Sequence, residues 1–146
     1  MNHIIKPIVV EQTFNSSVFE VWNAITKLDE MRQWFFSNIP SFEPNVGFET
    51  EFNVKSENRS FYHLWKLIEV IPFKKIKYQW SYKNIKGEGF VTFELFVINN
   101  QTMLRVTNKG LESFPQDIPE FSRKNCEAGW EYFIQQNLKT YLDGKK

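Results

Sequence analysis

Residues 63–80 read HLWKLIEVIPFKKIKYQW. Two apolar-rich runs flank a break at Pro72-Phe73-Lys74. In the second run Ile76, Tyr78, Trp80 and Tyr82 fall on one side of an extended chain. Lys75, Lys77, Gln79 and Ser81 fall on the other. A period of two is the mark of a half-buried strand, because successive side chains of a strand point to opposite faces. The stretch therefore predicts an antiparallel hairpin with one ring-bearing face. Those rings either fill a core or line a pocket.

Working outward, residues 48–55 repeat the alternation, with Phe48, Thr50, Phe52 and Val54 on one side and Glu49 and Glu51 on the other. A polar turn is expected at 56–60, strands over 61–71 and 75–83, and a glycine-bearing turn over 84–89. Val91, Phe93, Leu95 and Val97 alternate next. Asn99-Asn100 signals a hairpin, and Leu104, Val106 and Asn108 share a face of the last strand. Short connections imply a meander. Ahead of this block, 4–14 read as a β-branched strand, with Pro7 suited to its start or to a sheet edge. Ser16 or Ser17 with Glu20 offers a capping box for a helix whose apolar face is Val18, Val21, Trp22, Ile25 and Leu28. Asp29 is the expected cap of a second short helix carrying Met31, Trp34 and Phe35. After the loop LESFPQDIP (111–119), residues 120–142 predict a long helix buried along Cys126, Trp130, Phe133, Ile134, Asn137, Leu138, Tyr141 and Leu142. Gly129 inside that helix implies a close backbone approach, a bend, or room left for something else. The whole predicts an α+β chain in which a curved antiparallel sheet wraps a long C-terminal helix, with two short helices after the first strand.

The 146 residues are expected to form one domain, 1–146. Phe, Trp and Tyr number 15, 5 and 5 and make up 17% of the chain, enough large rings to close a wide gap or wall a cavity. Formal charge is +1 and no long basic run occurs, so no nucleic-acid partner is expected. No apolar run approaches a membrane span, so no stable membrane insertion is expected. The single cysteine, Cys126, and a first segment without a signal-peptide pattern lead to a cytoplasmic expectation.

Three segments carry a resemblance: SSVFEVWNAITKLDEMRQWF (16–35), the opening stretch, and EAGWEYFIQQNLKTYL (127–142). Together they resemble the START-related, birch-pollen-allergen-like helix-grip (SRPBCC) superfamily. Within it the chain is most similar to the subfamily named after the activator of heat-shock protein 90 ATPase. Two positions depart: Phe73 stands where relatives carry a second proline, and Asn108 where they often carry histidine. The resemblance implies a cavity between sheet and long helix that takes a small, mostly apolar, lipid-like or aromatic molecule. It offers two alternatives, a chaperone-associated interaction module and, more weakly, a polyketide-cyclase-like enzyme. The chaperone activators carry a second, chaperone-binding domain, which is not expected in a single domain of 146 residues.

The expected ligand-binding residues are Trp34, Phe35, Phe52, Trp65, Tyr78, Trp80, Phe93 and Trp130, with His63, Tyr78 and Asn108 as polar anchors. His63 can equally be a hydrogen-bonded structural residue. Glu49 and Glu51 should face water. Glu69 shares parity with Trp65 and points inward unless a bulge before Pro72 turns it out. No triad, phosphate loop or metal-ligand spacing occurs, so no catalytic residue, metal or cofactor is expected. An edge strand, or the Trp34-Phe35-Phe36 segment, could support a homodimer; otherwise the chain is a monomer.

Overall fold

The computed structural model describes residues 6–145; His3, read above as a solvent-facing terminal residue, lies outside them. The chain runs β1 (Ile8–Phe14), α1 (Val18–Thr26), α2 (Leu28–Trp34), β2 (Glu49–Ser56), β3 (Arg59–Ile71), β4 (Lys75–Tyr82), β5 (Ile85–Ile98) and β6 (Gln101–Lys109). Two short 3-10 turns follow, Leu111–Ser113 and Pro119–Phe121. A continuous C-terminal helix closes the chain as α3 (Arg123–Glu131), a π-wound segment (Tyr132–Leu138) and α4 (Lys139–Asp143).

The strands form one antiparallel sheet ordered β1-β6-β5-β4-β3-β2. Its registers align the inward residues in rows. One row runs Leu67, Tyr78, Val91, Asn108, Ile8, and the next Ile76, Phe93, Val106, Val10. This is the α+β helix-grip architecture, with the C-terminal helix against the concave face.

Ser17 caps α1 in a reciprocal capping box with Glu20, an arrangement worth about 1 kcal/mol. The cap of α2 is Lys27 rather than Asp29, which lies in its first turn. The reason is economy of chain: the Lys27 N–H closes α1 on Asn23 while its carbonyl opens α2 on Met31. The C-terminal helix starts at the Ser122 cap, later than the expected 120. Trp130, Ile134, Leu138 and Leu142 are all buried on one side. Spacing of four residues drifts by roughly 40° per step on an α-helix of 3.6 residues per turn. The wider π winding between them takes up that drift and keeps all four facing the sheet.

Two further expectations change, and the open alternative for Glu69 is decided by a bulge. The 84–89 turn is shorter than read, because β5 starts at Ile85 and includes both glycines. A Cβ at Gly87 would stand 2.6 Å from the Phe114 ring and 2.7 Å from the Ser113 carbonyl, and φ there is +120°. These glycines let Phe114 lie on the strand. Glu69 is turned out by a register shift between Leu67 and Glu69, pairs with Lys77, and forms an ion pair with Lys75 at 3.0 Å. Trp34 and Phe35 are not a surface for a partner. They stack at 4.7 Å in the interior, and the Trp34 indole N–H donates to the Ala24 carbonyl at 2.7 Å.

Candidate functional site

Between sheet and C-terminal helix lies a cavity of about 300 Å³. His63, Trp80, Tyr82, Val91 and Asn108 form its floor, and Cys126, Gly129, Trp130 and Phe133 its roof. Leu111, Phe114 and Phe121 close one side, and Phe36 another. Ser56, Glu120 and Asn125 add polar groups to the lining.

Four of the ten expected ligand residues, His63, Trp80, Asn108 and Trp130, are on this wall. Trp34, Phe35, Phe52, Trp65, Tyr78 and Phe93 are not; they pack solidly beside it. The cause is Phe35, which enters the gap from the end of α2. Its ring lies 5.5 Å from Trp65, 6.4 Å from Phe93, 6.0 Å from Trp130 and 4.9 Å from Phe133. It fills the space on its side of the sheet. On the other side the helix presents Gly129, where an added Cβ would meet nothing within 4 Å.

Sequence reading missed Phe61, Phe114 and Phe121, which ring Tyr82. Phe61–Phe121, Tyr82–Phe114 and Tyr82–Phe121 lie 5.4, 5.5 and 5.1 Å apart. Phe114 belongs to the stretch that reads as loop and Phe121 to the start of the predicted helix, and only two phenylalanines near prolines hinted at a wall.

The polar groups are few and differ in what they can offer. His63 Nδ1 lies 2.9 Å from the Phe61 carbonyl oxygen. A carbonyl only accepts, so the ring proton sits on Nδ1 and Nε2 keeps a lone pair. Burial pushes the imidazole down to about 4, despite the opposing bond to Phe61, so it is neutral at pH 7. Its ring is held by Phe52, stacked at 5.2 Å, and by Tyr82 at 4.8 Å. The Trp80 indole N–H donates to Tyr82 Oη at 2.9 Å, and burial raises the Tyr82 phenol well above its ordinary value. The Cys126 thiol donates to the Glu120 carbonyl, and burial pushes it up to about 11. For Glu120, burial raises the carboxyl, but bonds from its own backbone, Ser56 and Arg59 outweigh that and hold it below the usual range. The Tyr78 hydroxyl, expected as an anchor, is sealed in the core without a partner among the described residues.

Elsewhere the chemistry is sparse. Glu49 and Glu51 are exposed, and Tyr62 donates to Glu51. Among the described residues no group of three or more His, Cys, Asp or Glu is placed to hold a metal ion. No helix there is long and apolar enough to cross a membrane.

A family model described as "Activator of Hsp90 ATPase homolog 1-like protein" matches residues 15–143. The chain belongs to that family. No curated protein matches it. Among solved structures it is similar to protein CV1439 from Chromobacterium violaceum, with TM-score 0.79 and 15% identity over 94% of this chain and 97% of that one. It is similar to the Aha1 dimer from Colwellia psychrerythraea, with TM-score 0.72 and 22% identity over 94% and 96%. DynU16, a putative protein of the dynemicin biosynthetic locus, matches with TM-score 0.76 and 23% identity over 98% of this chain. The chain spans about half of DynU16, 49% of its length. At these identities the likeness is one of fold.

Proposed function

We propose that this family member binds a small, mostly apolar molecule, without covalent chemistry, in the cavity under Gly129. One observation carries the reading: beside the Phe35 plug, sheet and helix stay apart and leave a ring-walled space of about 300 Å³. That volume is at the small end of ligand pockets, and the wall is largely apolar with a few polar groups, as such pockets are. The side chains argue for binding over reaction. The Cys126 thiol is held protonated at neutral pH, and burial makes the His63 imidazole a weak base.

Trp130→Ala is a poor test, since removing a buried tryptophan costs roughly 3–5 kcal/mol and mixes folding with binding. Gly129→Leu is better, because its side chain grows into open space and leucine favours a helix more than glycine does. The expected result is a protein at least as stable as the parent that no longer takes up Nile red. Unchanged uptake in Gly129→Leu, or no uptake by the parent, would refute the reading.

Family membership favours one other reading, a chaperone partner. Its test is whether the purified chain changes the ATPase rate of a heat-shock protein 90; no change removes it.

A further inference from the structure

The floor of the cavity holds two neighbouring side chains, His63 and Tyr82, whose unused hydrogen-bonding capacity is of opposite kind. His63 is about nine-tenths or more buried, at 5% exposure, and its Nε2 lone pair has no partner among the described residues. Tyr82 Oη already accepts from the Trp80 indole, a group that can only donate. The Tyr82 proton therefore has to go elsewhere, and no acceptor for it occurs among the described residues. The two rings are 4.8 Å apart and both line the cavity. They do not satisfy each other.

We propose that the guest carries a hydroxyl group, phenolic or alcoholic, that donates to His63 Nε2 and accepts from Tyr82 Oη. This rests on the cavity being a binding site. A hydroxyl both gives and takes a hydrogen bond at a single oxygen, which suits an acceptor and a donor carried on neighbouring rings. An ether oxygen can satisfy Tyr82 but leaves the His63 lone pair facing carbon. A carboxylate turns its own lone pairs toward that of Nε2, in a cavity lined by no cationic side chain. The guest is therefore a neutral, ring-sized alcohol or phenol.

Naphthol, its methyl ether and naphthoate separate these cases when titrated against the quenching of Trp80 and Trp130. In a plain apolar cavity the ether should bind better, because the phenol gives up its bonds to water and regains nothing. The proposal expects the reverse: naphthol tighter than the ether by about tenfold, the effect of one or two neutral hydrogen bonds, with naphthoate weakest. His63→Phe keeps the ring and loses the acceptor, so it should bring that ratio to one or below. His63→Gln restores an acceptor near Nε2 and should recover part of it, and Tyr82→Phe should lower it. Equal or ether-favouring binding by the parent, or an undiminished ratio in His63→Phe, overturns the hydroxyl proposal. In that case binding of both probes that is lost in Gly129→Leu still upholds the cavity. Failure of both probes to bind overturns the two together.

Discussion

Acidification offers a direct test of how His63 is held. A free histidine titrates near 6.5, and burial takes this one to about 4. Between those values the unfolded chain binds a proton that the folded chain refuses. Stability therefore rises with pH there: it is complete above 6.5 and is lost progressively as pH falls toward 4. At 1.36 kcal/mol per pH unit, the gap amounts to about 3 kcal/mol. Urea unfolding at a series of pH values from 7 to 4 should show the loss as a falling midpoint at constant slope. His63→Phe should start lower, since the Phe61 carbonyl loses its donor, but stay nearly flat over the same window. His3 remains in both proteins and cancels. Glu120, whose carboxyl is held below its ordinary value, weakens both proteins only as pH falls through and below 4.5. Parallel pH profiles for parent and variant, or a His63 imidazole, identified by its absence from His63→Phe, that titrates near 6.5 by NMR, would refute the argument that this ring is buried neutral.

The same packing sets three further outcomes. Gly129→Ala should raise stability by about 1 kcal/mol, since its Cβ meets nothing. Gly87→Ala should lower it by roughly 1–3 kcal/mol, since its Cβ would overlap Phe114 at a left-handed φ; thermal melts of the pair check both signs. Cys126, pushed from 9.0 to about 11, should react with a neutral maleimide at pH 7 about a hundredfold more slowly than the same thiol in the unfolded chain. A bound guest should slow it further, and a folded-state rate equal to the unfolded one would contradict its burial.

Much of the architecture was written in local pattern. The alternation at Ile76, Tyr78 and Trp80, the Ser17-Glu20 box and the Asn99-Asn100 turn each act over a few residues, and each forms the element it signals. The elements misjudged were decided by partners distant in sequence. Gly87 and Gly89 read as a turn, but they serve Phe114, twenty-odd residues on. The wall of Phe114 and Phe121 was hidden in a predicted loop and the start of a predicted helix, because their neighbours, Tyr82 and Phe61, lie on strands earlier in the chain. Of the candidate site, the tryptophans of sheet and helix, His63 and Asn108 were legible as inward-facing side chains. Which inward rings touch a guest was not, since parity fixes a face and says nothing of what stands opposite it.

The opening hairpin posed a choice between core and pocket. Sequence alone determined that Trp65, Tyr78 and Trp80 face one way, because strand geometry admits only two faces. The tertiary structure decided that both answers hold, a few ångströms apart. Where Phe35 reaches into the gap, Trp65 and Tyr78 are core; where the helix leaves open space at Gly129, Trp80 becomes a wall. The physical reason is that a void is a property of two surfaces at once, and one strand can specify only its own.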